Sequence, residues 1–310
     1  MMKILVFLAA SCAILSAGVS NVLSEQVYSD SGQTGLSFLR VTPTARIASL
    51  GGAGLSSAEG PSSEWLNPSL IAFTGERSAQ FSHTEWIQGI KQEYAAVSAN
   101  SASGAFGFSV QIFDSGDVEL RGSAPSETSF GTYSIKNVSL AFTYARLLTQ
   151  KISLGVTYKK LFEKIAQENA GGYAVDGGIT WRPMDCLALA AVARNYGRMG
   201  ILKNERTKIP SDVSMGFLFS EMLPGFNRNF TFLCDYVIPR YGDNGIRTGV
   251  EVEAVDRFFI RIGYRNDSSL ETMSYGLGVE MGIFSVDVSY TPIKDFPDNA
   301  LRFTLSITGF

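Results

Sequence analysis

The stretch GLSFLRVTPTARIASLGGAGLSSAEGPSSEWLNPSLI, residues 35–71, decides how the rest of the chain is read. It shows neither the period of two of a strand nor the period of 3.6 of a long helix. Pro43 interrupts any helix and pushes Thr42 before it into an extended conformation. Gly51-Gly52-Ala53-Gly54 permits positive φ and close packing of backbone against a neighbouring wall. Pro61 to Leu66 suits one helical turn, opened by Pro61 or Ser62 and closed by Pro68. Apolar side chains are scattered through the stretch at Leu36, Phe38, Leu55, Trp65, Leu66 and Ile71. An irregular segment carrying that much apolar surface needs anchors, so Arg40 and Arg46 are expected to pair with acidic groups around it.

The remainder of the chain supplies a candidate enclosure. From Arg77 to the last residue the period is two. Phe284, Val286, Val288 and Tyr290 alternate with Ser285, Asp287 and Ser289; Val138, Leu140, Phe142 and Tyr144 alternate with Ser139, Ala141 and Thr143. Such alternation marks a sheet with one apolar and one polar face. Fourteen segments read this way: 77–85, 91–100, 104–114, 131–146, 151–162, 172–182, 186–196, 211–220, 229–238, 245–254, 257–265, 272–281, 283–291 and 300–310. The alternation is weakest in the second and seventh. A secreted β-sandwich alternates too. The run without a crossover helix and the Ser, Gly and Thr of the polar face favour an all-β, transmembrane antiparallel barrel of about 14 strands. Residues 25–76 would then be an N-terminal hatch inside the lumen, and 77–310 the barrel. Aromatic residues end many apolar rows (Tyr144, Tyr158, Trp181, Tyr236, Tyr264, Tyr290), where an interfacial girdle sits. Links near 256 and 280–283 read as periplasmic turns. The stretches 114–130, 198–210 and 292–299 read as outer loops.

On this phase the inner wall carries Asp176, Asp235, Arg247, Glu251, Glu253, Arg261, Arg265, Glu280, Asp287 and Arg302. Signs alternate between neighbouring late segments, which favours a lumen network of cross-strand pairs that also anchors the hatch. Phe310 falls in the phase of Arg302 and Thr304, out of step with the apolar row Leu301, Phe303, Leu305 and Ile307.

The chain has 310 residues, a net charge of −3 and no basic cluster in its sequence, which argues against nucleic acid as a partner. No apolar run approaches the ~20 residues of a membrane-spanning helix. Residues 1–24 read as a secretory signal, with Lys3 ahead of an apolar core from Ile4 to Leu15. Cys186 and Cys234 fall on segments separated by another strand, too far apart for a disulfide, and read as small apolar residues. The single histidine, His83, has no second histidine to help it hold a metal. There is no Ser-His-Asp set, metal-ligand spacing or phosphate loop. Neither an enzyme nor a cofactor is expected.

Phe38-Leu39-Arg40, Ala45-Arg46, Ser49-Leu50-Gly51-Gly52-Ala53-Gly54 and Trp65-Leu66-Asn67-Pro68-Ser69-Leu70 together resemble the N-terminal region of PorV/PorQ-type outer-membrane proteins, which are similar to the long-chain fatty acid transporter FadL. Asn67 and Pro68 match the FadL-type Asn-Pro-Ala, with Ser69 in place of alanine. The resemblance implies a fourteen-stranded barrel with an N-terminal hatch, in the outer membrane of a diderm bacterium. It implies as partners outer-membrane lipid and a long-chain fatty acid or other hydrophobic small molecule. Its alternative is secreted protein cargo or the type IX secretion and surface-attachment machinery. The residues expected to serve ligand or hatch are Leu36, Phe38, Arg40, Arg46, Gly51, Gly52, Trp65, Leu66, Asn67, Pro68 and Ile71. The lumen network is expected to comprise Glu251, Glu253, Arg261, Arg265, Glu280, Asp287 and Arg302.

Overall fold

The computed structural model describes residues 34–57, 60–74, 77–122, 129–223, 228–268 and 270–310. The signal-like residues 1–24 and most of the polar stretch before Gly35 lie outside the described residues. Fourteen antiparallel strands close into one barrel. They are β1 (Ser78–Glu85), β2 (Lys91–Ser101), β3 (Gly104–Asp114), β4 (Ile135–Thr149), β5 (Ile152–Ile165), β6 (Glu168–Met184) and β7 (Leu187–Met199), then β8 (Asp212–Leu223), β9 (Arg228–Pro239), β10 (Gly245–Val255), β11 (Phe258–Arg265), β12 (Met273–Met281), β13 (Phe284–Thr291) and β14 (Ala300–Thr308). Each strand pairs with its neighbours in sequence, and β1 closes on β14 from Ser78↔Thr308 to Glu85↔Leu301. The two weakly alternating segments are full strands, β2 and β7.

The phase expected from the sequence holds around the wall. Phe81, Val97, Phe108, Phe142, Ile179, Met215, Leu277 and Phe303 are exposed on the outside. Ser98, Ser109, Thr143, Thr157, Ser214, Ser274 and Thr304 are buried on the inside. An apolar exterior is stable only in lipid, and closure leaves no strand edge unpaired there. Tyr236, Tyr264 and Tyr290 lie near one end of their strands, on the outer surface. That end carries the longer connections, including the ribbons Val118–Glu119/Thr132–Tyr133 and Ile201–Leu202/Glu205–Arg206. The opposite end carries tight turns such as 256–257 and 282–283.

A turn settles the phase of Phe310. Strand β14 ends at Thr308, Gly309 takes φ 80°, and its N–H donates to the Arg77 carbonyl. Phe310 thus leaves the strand, is exposed, and has no phase to obey. Cys186 and Cys234 are not joined in a disulfide. His83 faces outward and its Nδ1 lies 2.6 Å from Glu93 Oε1 on β2.

Residues 34–74 lie within the barrel. They form 3-10 turns at Ser37–Arg40 and Pro68–Phe73 and short helices at Ala45–Ser49 and Ser63–Leu66, joined by irregular backbone. Gly51, Gly52 and Gly54 all take positive φ.

Val288 sits halfway along β13 on the outer face, and Ser285 faces a polar cavity inside. Val288→Arg is expected to destabilise the barrel by about 2–4 kcal/mol, and Ser285→Arg by under about 1 kcal/mol. Denaturant unfolding measures both. A larger loss for Ser285→Arg than for Val288→Arg would mean the phase is inverted.

Candidate functional site

An irregular chain inside a barrel must have its backbone groups satisfied by the wall. Here wall side chains do so one by one. Gln111 Nε2 donates to the Phe38 carbonyl (3.0 Å) and Arg302 Nε to the Thr42 carbonyl (3.2 Å). Thr304 Oγ1 accepts from Ala45 N and Ser274 Oγ from Gly51 N. Asp235 Oδ2 accepts from both Gly54 N (2.7 Å) and Leu55 N (3.0 Å).

The Asn67-Pro68-Ser69 step is a closed hydrogen-bond set. Asn67, fully buried, accepts at Oδ1 from Ser69 N and Ser69 Oγ. Its Nδ2 donates to the Leu55 carbonyl and to Thr180 Oγ1 on β6. Ser69 Oγ also lies 2.7 Å from Thr180 Oγ1, a contact alanine would lack. Pro68 packs on Gly155 of β5, and Asn67 on Gly178 of β6.

Arg46 behaves as expected. Its Nε and Nη2 meet the two oxygens of Glu251 at 2.9 and 2.8 Å, a bidentate pair. Glu251 also accepts from Arg261, and Arg261 Nη1 reaches Asp287 Oδ1 (2.6 Å). A second network at the long-loop end runs Arg247–Asp267–Arg265–Glu271–Arg302. Burial alone would raise the Asp267 carboxyl, but Arg247 and Arg265 hold it below the usual carboxylate range. Two further buried pairs, Lys159–Asp176 and Arg194–Asp212, sit on β5–β8. The alternation could not supply Asp267 or Glu271, because both lie in the β11–β12 loop. Arg194 keeps the inward phase of Ala188, Ala190 and Val192, in a segment whose alternation is weak; just above it β6 Val175 pairs with Tyr196 but Gly177 with Ala193, and this bulge turns Asn195 inward beside it.

Three expected members stand apart. Arg40 is half-buried with no carboxylate partner among the described residues, and burial together with Arg247 lowers its guanidinium pKa. Its 3-10 turn aims it at a region whose acids are already held by other arginines. Glu253 accepts from Asn229 Nδ2 and Arg257 N rather than from a cation, at a slip in the β10–β11 pairing. Glu280 makes no ion pair among the described residues. It is exposed in a polar cavity of about 240 Å³ at the short-turn end, where water removes the need for one.

The apolar side chains fall into separate compartments. Leu36 and Phe38 join Leu39 against Leu161, Ala170, Ala174, Met199 and Ile209, flanked by Phe113 and Leu202, toward the long-loop end. Trp65 and Leu66 pack with Ile47, Leu55, Ala190 and Val192, and Ile71 with Ala72, Ala105 and Ala145. Gly51 lies on Gly263 of β11, and Gly52 against the Arg247 stem.

Glu64 is a residue the alternation could not single out. It is 1% exposed, neither carboxyl oxygen has a hydrogen-bond partner among the described residues, and one lies against Gly107. Burial pushes its carboxyl up to about 7, against the downward pull of the Ser109 and Thr143 hydroxyls beside it and of Lys159. Its one sequence signal was a lone acid in a run of small and apolar residues.

No family model and no curated relative matches the chain. Solved structures do share its fold. The toluene transporter TodX of Pseudomonas putida superposes with a TM-score of 0.58 at 11% identity, covering 84% of this chain and 95% of that one. The CymD monoaromatic hydrocarbon channel gives 0.57 at 11%, covering 86% and 97%. A Pseudomonas aeruginosa FadL homologue gives 0.56 at 13%, covering 86% and 98%. The barrel is therefore FadL-like in fold. None of these three is a PorV/PorQ-type protein, and that part of the resemblance gains no support from them.

The site makes two outcomes testable. Glu251→Ala removes the carboxylate that Arg46 and Arg261 share, leaving Arg261 only Asp287, and is expected to cost about 3–5 kcal/mol. Arg46→Ala leaves Glu251 still held by Arg261 and is expected to cost about 1–3 kcal/mol. Hydrogen exchange of residues 45–57 ranks the two, and the reverse order would break the Arg46–Glu251–Arg261 account. For Glu64, the packed carboxyl titrates near 7 and a released one near its ordinary 4.5. The docking contribution is therefore complete below about 4.5 and lost as pH rises through about 7. Exchange of residues 60–74, corrected for intrinsic rate, should increase across that window in the wild type and stay flat in Glu64→Gln.

Proposed function

We propose that this barrel carries hydrophobic small molecules across the outer membrane of a diderm bacterium, with residues 34–74 as a gated hatch. The observation that carries the reading is the apolar compartment of Leu36, Phe38 and Leu39 against Leu161, Met199 and Ile209. It lies toward the long-loop end of a lumen whose other inward positions are mainly small, polar or ion-paired. A pocket lined by apolar side chains is the ordinary seat of an apolar ligand. Three of the eight buried members here, Leu36, Phe38 and Leu39, come from the hatch itself. A ligand that takes the place of Phe38 and Leu36 competes with hatch packing, so occupancy and hatch position are coupled through one set of contacts.

The names of the structural neighbours, toluene and monoaromatic hydrocarbon channels and a FadL homologue, support this substrate class. Long-chain fatty acids remain within it, and Arg40, which has no carboxylate partner among the described residues, is the group that would meet an acid head. No feature of the described loops favours a secreted-protein cargo over a small molecule.

Titration calorimetry of the solubilised protein with toluene and with oleate tests the reading. Saturable binding of either, weakened at least tenfold by Met199→Trp, which fills the compartment from the wall, is the expected result. No heat with either ligand, or binding indifferent to that change, would reject the compartment as the site. Deleting residues 35–71 should open an ion-conducting lumen in planar bilayers; conductance at baseline would reject the hatch.

A further inference from the structure

Four basic side chains from the end of β7, the loop after it and the end of β9, Arg198, Arg206, Lys208 and Arg240, line one crevice at the long-loop end of the barrel. Its volume is about 260 Å³, and no acidic residue among the described ones lines it. In the lumen, the arginines at 46, 194, 247, 261, 265 and 302 each have a carboxylate partner. In the crevice Arg198, Arg206 and Arg240 have none among the described residues. All three are exposed at the rim of a chain of net charge −3, where solvent lowers their mutual repulsion and an anion can reach them together.

The wall explains how the crevice arises. Strand β8 begins at Asp212, opposite Arg194, so β7 from Asn195 to Met199 pairs only with β6. The bulge at Arg194 and Asn195 reverses the phase above it. Tyr196 and Arg198 then pair with Val175 and Tyr173 of the outer surface, facing lipid rather than lumen. The loop 200–211 and Arg240 fold over the bare edge. Lys208 Nζ and Arg240 Cζ sit 5.1 and 5.7 Å from the Tyr241 ring centre, which presents both cations toward the crevice.

Beneath the crevice, on the same outer face, Ala193 of β7 pairs with Gly177 of β6 and Val213 of β8, and Ala191 follows it down the strand. Ala191 pairs with Ile179 on β6 and with Met215 on β8, both exposed. The alanines thus form the floor of an apolar furrow running from the crevice toward the middle of the barrel wall. Cations at the rim, tyrosine at the interface and an apolar furrow beneath form one continuous amphipathic seat.

We propose that this seat binds a phosphorylated lipid of the outer leaflet, the phosphate among Arg198, Arg206, Lys208 and Arg240 and one acyl chain over Ala193 and Ala191. The inference rests on the membrane orientation of the proposed transporter, with the long-loop end outside. It does not depend on hydrocarbon transport. Phosphate suits the site because guanidinium groups bind it with parallel hydrogen bonds and the crevice holds several of them.

Native mass spectrometry of the delipidated full chain is the test, with three probes: bisphosphorylated lipid A, its dephosphorylated counterpart, and inorganic phosphate. The expected result is one retained lipid A, with at least tenfold weaker retention of the dephosphorylated lipid. Arg198→Ala/Arg240→Ala should weaken lipid A at least tenfold, with heat-modifiable gel mobility showing an intact barrel. Ala191→Trp, which fills the furrow and touches no cation, should weaken it too. Equal retention of the dephosphorylated lipid, or no effect of the double variant, overturns the proposal. Inorganic phosphate competing with lipid A, with no effect of Ala191→Trp, replaces it with a soluble-anion site. Toluene or oleate binding measured on the double variant should match the wild type, so failure of the lipid seat and failure of the transport reading are told apart.

Discussion

The structure depends on how little room the lumen leaves. The segment threaded through it meets the wall at positions that carry no side chain: Glu64 at Gly107, Pro68 at Gly155, Asn67 at Gly178, Leu55 at Gly216, Leu50 at Gly249 and Gly51 at Gly263. A methyl group at Gly263 or Gly155 would meet backbone atoms of the segment, which cannot turn aside as a side chain can. The wall glycines are therefore a mould of the segment, spread over strands from β3 to β11. Their cost in strand propensity is local, whereas the packing they allow extends over the whole lumen.

The second constraint is polar. A segment without regular secondary structure keeps few internal hydrogen bonds, yet Thr42, Ala45, Gly51, Gly54 and Leu55 sit where water does not reach freely. Strand side chains stand in for the missing ladder. That arrangement explains why Ser and Thr recur on the inner face, and why Asp235 accepts two backbone N–H groups instead of pairing with an arginine. The segment is held by many modest bonds and by the bidentate ion pair of Arg46 with Glu251. Displacement of part of it need not disturb the rest.

Charge is arranged differently inside and at the rim. Inside, burial makes an unpaired charge expensive, and the arginines of β7, β10, β11 and β14 are matched to acids on adjacent strands or in the loop above. At the rim, solvent and headgroups screen, and cations collect at a bare strand edge in a crevice that no acid among the described residues lines. Glu64 and Arg40 of the threaded segment have no ion-pair partner among the described residues, nor do the wall acids Asp235, which accepts backbone N–H groups instead, and Glu280, which faces a polar cavity.

The period of two from Arg77 onward determined the architecture by itself. A strand's side chains alternate, so a chain with one apolar and one small polar face can satisfy both only by closing around a lumen in lipid, and all fourteen strands were legible from that rule. The unfitted stretch 35–71 was legible as the lumen's occupant for the converse reason: it had no period of its own. Its Arg46 anchor and Asn67-Pro68 step could be picked out, because a buried arginine and a helix-stopping proline each have few ways to be satisfied. Tertiary structure decided what depends on register and on bulges. Asn195 turned inward and Arg198 outward because β7 gains one residue against β6, a shift with no mark in the alternation. Asp267 and Glu271 joined the lumen network from a loop, Arg40 met no carboxylate among the described residues, and four cations scattered between residues 198 and 240 met at one strand edge. Alternation tells which face a side chain takes; only the closed wall sets what stands opposite it.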